Sequence, residues 1–231
     1  MMLFVENSYL KEFESKILNI ENNNIILEET VFYAKSGGQP GDTGKINLND
    51  KEINIIDTIY DQNKIISHVC EDVSGVKIGD KIKGKINWQT RYKHMRMHSA
   101  LHLLCSLIPY DVTGGQISYE KSRLDFNADE KIEKDEIENN INQLVREDHK
   151  ISYQWITNEE LDKQSVLVRT MSVKPPRTNQ KIRLVKIGNI DLQPCGGTHV
   201  KSTKEIGEIK IGKIENKGKK NRRVNILLIN G

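Results

Sequence analysis

The chain has 231 residues, 36% hydrophobic and 29% charged, with a net charge of +3. That length holds one large domain or two modest ones with a core, and so small a net charge does not mark a nucleic-acid binder by bulk charge. The absence of any run of about 18 apolar residues excludes a helical membrane span; Glu6 comes too early for a signal peptide, and three cysteines argue against a disulfide framework and for a reducing cytosol, hence a cytoplasmic location. Residues 1–87 read as β-rich, with the apolar runs IILEETVFY, INIIDTIY and IISHV separated by Gly, Asn and Asp clusters. Gly37, Gly38, Gly41 and Gly44 share one loop, SGGQPGDTG. Short strands with such turns predict a small barrel or sandwich.

Near Thr90 the pattern changes. Met97, Leu101, Leu104 and Ile108 recur at helical spacing, and Pro109 ends the helix. A second helix is expected over about 128–149, with Ile137, Ile141, Leu144 and Val145 on its apolar face and Asn127 and Glu130 as a capping box. Strands are expected at 166–173 and 181–187, with a Pro175-Pro176 loop between them, and near 206–214 and 222–229. The fold class is therefore α+β: an N-terminal small β-barrel domain, 1–87, followed by a mixed α/β domain, 88–231.

Charge is uneven along the chain. Residues 201–231 hold nine basic residues against three acidic ones, and Lys81 to Arg96 holds six basic residues and no acid. Two such clusters on a nearly neutral chain point to a directed patch, against the plainer reading of a solvated lysine surface.

Two fragments carry chemistry. In RMHSALHLLC, His98 and His102 stand four apart, which places both imidazoles on one helix face. In PCGGTHV, Cys195 and His199 flank two glycines that permit a tight turn. Three nitrogens and one sulfur favour zinc. His94 continues the row His98, His102, so His94 and His98 form an alternative pair, and Cys105 reads as a small buried hydrophobe. Ser99 stands where a metalloprotease HExxH motif carries its glutamate, which excludes that class, and no Cys-x₂₋₄-Cys pair supports a typical zinc finger.

RMHSALHLL followed by CGGTHV resembles the editing domain of alanyl-tRNA synthetases, and more closely the free-standing AlaX editing proteins of medium length. TVFYAKSGGQPGDTG (Thr30 to Gly44), GKINWQTRYKHMRMHSALH, TGGQISYEKSRLDF and RLVKIGNIDLQPCGGTHVKSTKEIGEIKI extend the resemblance over nearly the whole chain. Ser99 and Leu101 replace the threonines common in the synthetases, and Ala34 and Lys35 stand where a proline is common.

The resemblance implies that His98, His102, Cys195 and His199 hold one Zn²⁺, and that Thr30, Ser36, Gly37, Gly38, Gln39 and Gln116 lie near the aminoacyl group. It implies a zinc-dependent aminoacyl-tRNA deacylase acting on mischarged tRNA(Ala), with Ser-tRNA(Ala) the first substrate and Gly-tRNA(Ala) the second. A zinc-bound water does the catalysis where one metal position stays open; four protein ligands would close the site. Asp191 is a candidate to orient a ligand. Arg91, Lys93, Arg96, Lys217, Lys219, Lys220, Arg222 and Arg223 are the expected tRNA contacts, Gly218 making a hairpin tip. A monomer or weak dimer without membrane contact is expected. The rival readings are a zinc-containing tRNA-binding module without catalysis and threonyl-type editing of Ser-tRNA(Thr).

Overall fold

A computed structural model describes residues 1–164, 168 and 181–229. The chain divides into two compact units, Met1–Tyr92 and Lys93–Gly231.

The first unit opens with one helical turn, α1 (Leu3–Glu6). Six strands follow: β1 (Glu12–Glu21), β2 (Asn24–Leu27), β3 (Gly44–Leu48), β4 (Lys51–Tyr60), β5 (Ile66–Cys70) and β6 (Lys81–Ile86). They close into an antiparallel barrel in the order β1-β2-β5-β4-β3-β6, with β6 returning to β1. Alternation decides which side chains enter. In β6, Ile82, Gly84 and Ile86 face in while Lys81, Lys83 and Lys85 face out. Ile17, Ile25, Ile46, Ile53 and Ile55 fill the interior with Phe32. The expected run IILEETVFY is strand only as far as Leu27; Thr30 makes an isolated bridge to Met2 and the chain then leaves the sheet.

The long helix α2 (Trp88–Leu107) begins at the end of the first unit and carries the first two histidines of the expected ligand set in the second. Met97, Leu101, Leu104 and Ile108 are all buried, as are Met95, Ala100 and Leu103. From Met97 to Cys105 the helix is buried on every side, and His98, Ser99 and His102 are buried together with the apolar residues. Cys105 is buried among them, in keeping with its reading as a small hydrophobe.

Two antiparallel sheets complete the second unit. One has the order β12-β13-β8-β7, from β7 (Val112–Gln116), β8 (Lys121–Phe126), β12 (Ile209–Asn216) and β13 (Arg222–Leu228). The other has the order β11-β10-β9, from β9 (Ile151–Ile156), β10 (Ile182–Ile187) and β11 (Asp191–Pro194). Strands were expected where β10, β12 and β13 lie; the one expected at 166–173, with its Pro175-Pro176 loop, falls outside the described residues apart from Val168.

The second expected helix is shorter than its periodicity suggested. α3 spans Lys134–Arg146, and Ile137, Ile141 and Val145 are its buried residues. Asn127 and Glu130 do not cap it: Glu133 is the N-cap and makes no side-chain cap bond. Asn127 instead bonds back to Asp111 through its backbone, so tertiary pairing holds this stretch extended. The capping box lies further on, where Thr157 and Glu160 open α4 (Asn158–Lys163) by reciprocal bonds. Among the described residues, no helix is long and apolar enough to cross a membrane.

Candidate metal centre and its surroundings

His98 and His102 lie on adjacent turns of α2, while Cys195 and His199 follow β11. The structure brings these four together: one ligand atom from each lies within 4.8 Å of all the others. Cys195 Sγ stands 3.4 Å from His98 Nε2 and 3.3 Å from His199 Nε2. A tetrahedral ion with metal–nitrogen bonds of about 2.0 Å and a metal–sulfur bond of about 2.3 Å would hold its ligands about 3.3–3.5 Å apart. The three imidazoles are buried and Cys195 is half-buried.

Three of the four donors are held by a neighbour outside the set. Asp191 Oδ2 lies 2.8 Å from His102 Nδ1 and Gln193 Nε2 lies 2.9 Å from the same carboxylate oxygen. A carboxylate accepts, so Nδ1 carries the proton and Nε2 is left for a metal. Ser99 Oγ sits 3.1 Å from His199 Nδ1 and accepts from the Val200 N–H at 3.3 Å, which positions the second imidazole. The buried Arg183 on β10 clamps the Cys195 turn, its Nε donating to the Cys195 carbonyl at 2.9 Å and its Nη2 to the Gly197 carbonyl. The Gly197 N–H points at Cys195 Sγ, 3.3 Å away. Neither Gly196 nor Gly197 has a positive φ, so this clamp, and not a left-handed glycine, shapes the motif.

The electrostatics suit a cation. Burial pushes the Cys195 thiol up, but His98 and His199 outweigh it and hold the group well below its ordinary value, toward thiolate. Burial lowers His199 and the charge of His98 lowers it further, keeping that imidazole neutral. Burial also pulls His102 down, yet its bonds to Asp191 and Cys195 carry it up to about 10. A thiolate with three imidazoles, two of them positioned by Asp191 and Ser99, is a donor set that fits a borderline-soft divalent ion.

Arg183 and Ser99 are absent from the sequence reading as site residues. Nothing in RLVKIG distinguishes a clamp from a strand-surface arginine, and Ser99 registered there only as the absence of a glutamate.

The glycine loop belongs to the first unit. Ser36 and Gln39 exchange backbone hydrogen bonds of 3.1 and 2.8 Å around Gly37 and Gly38, whose φ values are +53° and +82°. Two central residues at positive φ are the pattern of a type I′ turn, which glycine adopts without strain. Ser36 Oγ lies 2.5 Å from the Tyr33 hydroxyl, and Gln39 is fully buried. Thr30 is 3% exposed; its Oγ1 lies 2.8 Å from His68 Nε2 and accepts from the Phe32 N–H at 3.0 Å. His68 Nδ1 faces the Ile25 carbonyl at 3.0 Å. A carbonyl only accepts, so the His68 proton is on Nδ1 and the Thr30 hydroxyl donates to Nε2. Gln116, in the second unit, is exposed, with its Oε1 3.4 Å from Arg123 Nε.

The expected tRNA contacts divide. Arg91 is a correction: it is fully buried, with its guanidinium on both Asp42 oxygens and on the Ser8 and Val31 carbonyls, and offers no surface to a phosphate. Arg96 donates from Nε to the Ile206 carbonyl at 2.8 Å; a Cβ at Gly207 would stand 2.7 Å from its Nη2. Arg222 binds the carbonyls of Gly218, Lys219, Asn221 and Asp129, and Arg223 pairs with both Asp125 oxygens at 2.7 and 2.9 Å. Both brace the hairpin, whereas Lys219 and Lys220 are exposed at its turn and Lys217 pairs with Glu215 at 2.8 Å. Lys93 is half-buried beside the Tyr119 ring.

Two family profiles match the chain. That of the threonyl and alanyl tRNA synthetase second additional domain covers residues 182–225, and that of the class II (A) tRNA synthetases covers residues 3–90. The alanyl-tRNA editing protein AlaX-M of Methanosarcina barkeri is 36% identical over 240 residues, 98% of each chain. AlaX-M of Saccharolobus solfataricus is 36% identical over 96% of each chain. The alanine–tRNA ligase of Pyrococcus abyssi is 34% identical over 92% of this chain but only 24% of its own length. With full-length matches at this identity, and a His₃Cys cluster formed by the motifs that carry the likeness, the chain belongs to the AlaX family of alanyl-tRNA editing proteins.

Proposed function

We propose that this chain is a free-standing deacylase that hydrolyses the ester between a wrong amino acid and tRNA(Ala), serine first and glycine second, with one Zn²⁺ held by His98, His102, Cys195 and His199. The carrying observation is the donor set of three buried imidazoles and one half-buried thiol, with Asp191 on His102 and Ser99 on His199. Bound there, the ion supplies Lewis-acid polarisation of an ester carbonyl or activation of a water. The chain's own residues aim the donors: Asp191 holds the proton of His102 on Nδ1, and Arg183 holds the Cys195 turn.

The need for such an enzyme follows from synthetase physics. A pocket built for alanine cannot strongly reject glycine, or serine with one added hydroxyl, so a second site must destroy the product. Thr30, the Ser36–Gln39 turn and Gln116 are the proposed aminoacyl contacts on the family resemblance. The Thr30 proton is committed to His68 and one lone pair to Phe32 N–H. What remains at Thr30 Oγ1 is acceptor capacity, which suits a serine hydroxyl acting as donor. Lys93, Lys219 and Lys220 are the proposed phosphate contacts, and the cytoplasm is the proposed compartment.

The deciding experiment presents Ser-, Gly- and Ala-tRNA(Ala) and Ser-tRNA(Thr) in parallel to the zinc-loaded protein, with His98→Ala as control. Rapid loss of Ser-tRNA(Ala), with Ala-tRNA(Ala) spared, is the expected result. Preferential loss of Ser-tRNA(Thr) would move the assignment to threonyl-type editing. The full set of four protein donors favours a second reading, in which the metal is structural. In that case RNA binding without hydrolysis would leave a zinc-containing binding module.

A further inference from the structure

The loop between β7 and β8 presents Tyr119, 47% exposed, three residues beyond Gln116. Its ring centroid lies 6.2 Å from that of His94 on α2, and Lys93 Nζ stands 6.0 Å above the ring. His94 precedes the metal-ligand candidate His98 by one helical turn, a step of about 5–6 Å between Cβ atoms. An exposed aromatic ring flanked by a cation therefore stands against the turn of α2 that precedes His98, entirely within the second unit. Neither Tyr119 nor Lys93 is engaged in aiming the four donors.

The proposed substrate has a feature that must go somewhere near the cluster. Its ester sits on the ribose of the RNA's terminal nucleotide, so the terminal adenine is only one ribose away from the bond to be cut. We propose that Tyr119, with Lys93 beside it, is the platform on which that 3′-terminal adenine stacks. A tyrosine face binds any base through its π surface, and an adjacent ammonium adds attraction for the backbone. This rests on the proposed deacylation of an RNA end. It assigns to Tyr119 the task of positioning, and leaves bond cleavage to groups at the cluster.

The test compares binding of uncharged tRNA(Ala) with and without its terminal adenosine. For the unmodified protein, removing that adenosine weakens binding about 5- to 150-fold, the range expected for one base–aromatic stack. For Tyr119→Ala the same removal has no effect, while Tyr119→Phe restores the difference. In deacylation, Tyr119→Ala raises KM for Ser-tRNA(Ala) by a comparable factor and leaves kcat within about twofold, on the same stacking scale. 2-Aminopurine in place of the terminal adenine is quenched by the unmodified protein and by Tyr119→Phe, and stays bright with Tyr119→Ala. Additive losses on removing both ring and adenosine, or an unquenched terminal 2-aminopurine on the unmodified protein, overturn the proposal. Absence of hydrolysis alongside intact quenching would overturn the deacylase reading and leave the platform standing.

Discussion

Arg91 and Asp42 illustrate how far a residue's role depends on where its side chain is buried. In sequence, Arg91 is one cation of a basic run; in the first unit it is a fully buried partner of Asp42, which also accepts from the Tyr33 N–H at 2.7 Å. Breaking a buried pair leaves an uncompensated charge, a loss of about 3–5 kcal/mol. Arg91→Met is therefore expected to lower unfolding free energy by that order in a denaturant titration, and a loss below about 1 kcal/mol, the range of exposed pairs, would refute the pairing. His68 behaves differently. Burial lowers its pKa to about 4, partly opposed by the bond to the Ile25 carbonyl. The unfolded chain takes up this proton near pH 6.5 and the folded one only near pH 4. Stability from this group is intact above pH 6.5 and declines as pH falls toward 4, by roughly 3 kcal/mol. His68→Asn should flatten that window in unfolding titrations at pH 7 and 4.5; an unchanged slope would refute the buried neutral imidazole.

At the scale of elements, the β12–β13 hairpin separates cations that brace from cations that reach out. Arg222 and Arg223 hold backbone carbonyls and Asp125, while Lys219 and Lys220 project at the turn. Replacing Lys219 and Lys220 with alanine should reduce the slope of log affinity for tRNA against log salt by about one to two. An unchanged slope would remove the hairpin from the interface. The sheet that carries Asp191 makes a second prediction. Asp191→Asn keeps the shape of the His102 contact but removes its charge, and zinc affinity in a competition titration should fall about 10- to 100-fold. Because His102 is held up to about 10, the metal-free cluster carries a proton there at neutral pH. Zinc must displace that proton, so affinity should rise with pH and fall on acidification. A pH-independent affinity would contradict the donor assignment.

At the scale of the molecule, all four donors lie in Lys93–Gly231. Binding free energy for a metal is stability delivered where the ligands are. Chelation should therefore raise amide exchange in β10 and β11, and unchanged protection there would speak against a metal at this cluster. The sequence by itself determined the β-rich first part and the long helix; its spacing left His94 and His98 open as a pair, and the family resemblance singled out the four residues that converge. Period-2 and period-3.6 patterns and the i,i+4 histidines are local signals that survive without neighbours. It did not reveal β7, β8 and β9, the late start of α3, the burial of Arg91, the clamp by Arg183 or the bond between Ser99 and His199. The burial and the two side-chain contacts depend on partners distant in sequence: Asp42 for Arg91, the Cys195 turn for Arg183, His199 for Ser99. Only tertiary structure brings a buried charge to its counterion or a serine to the imidazole it aims, because burial and hydrogen-bond partners are properties of the packed chain.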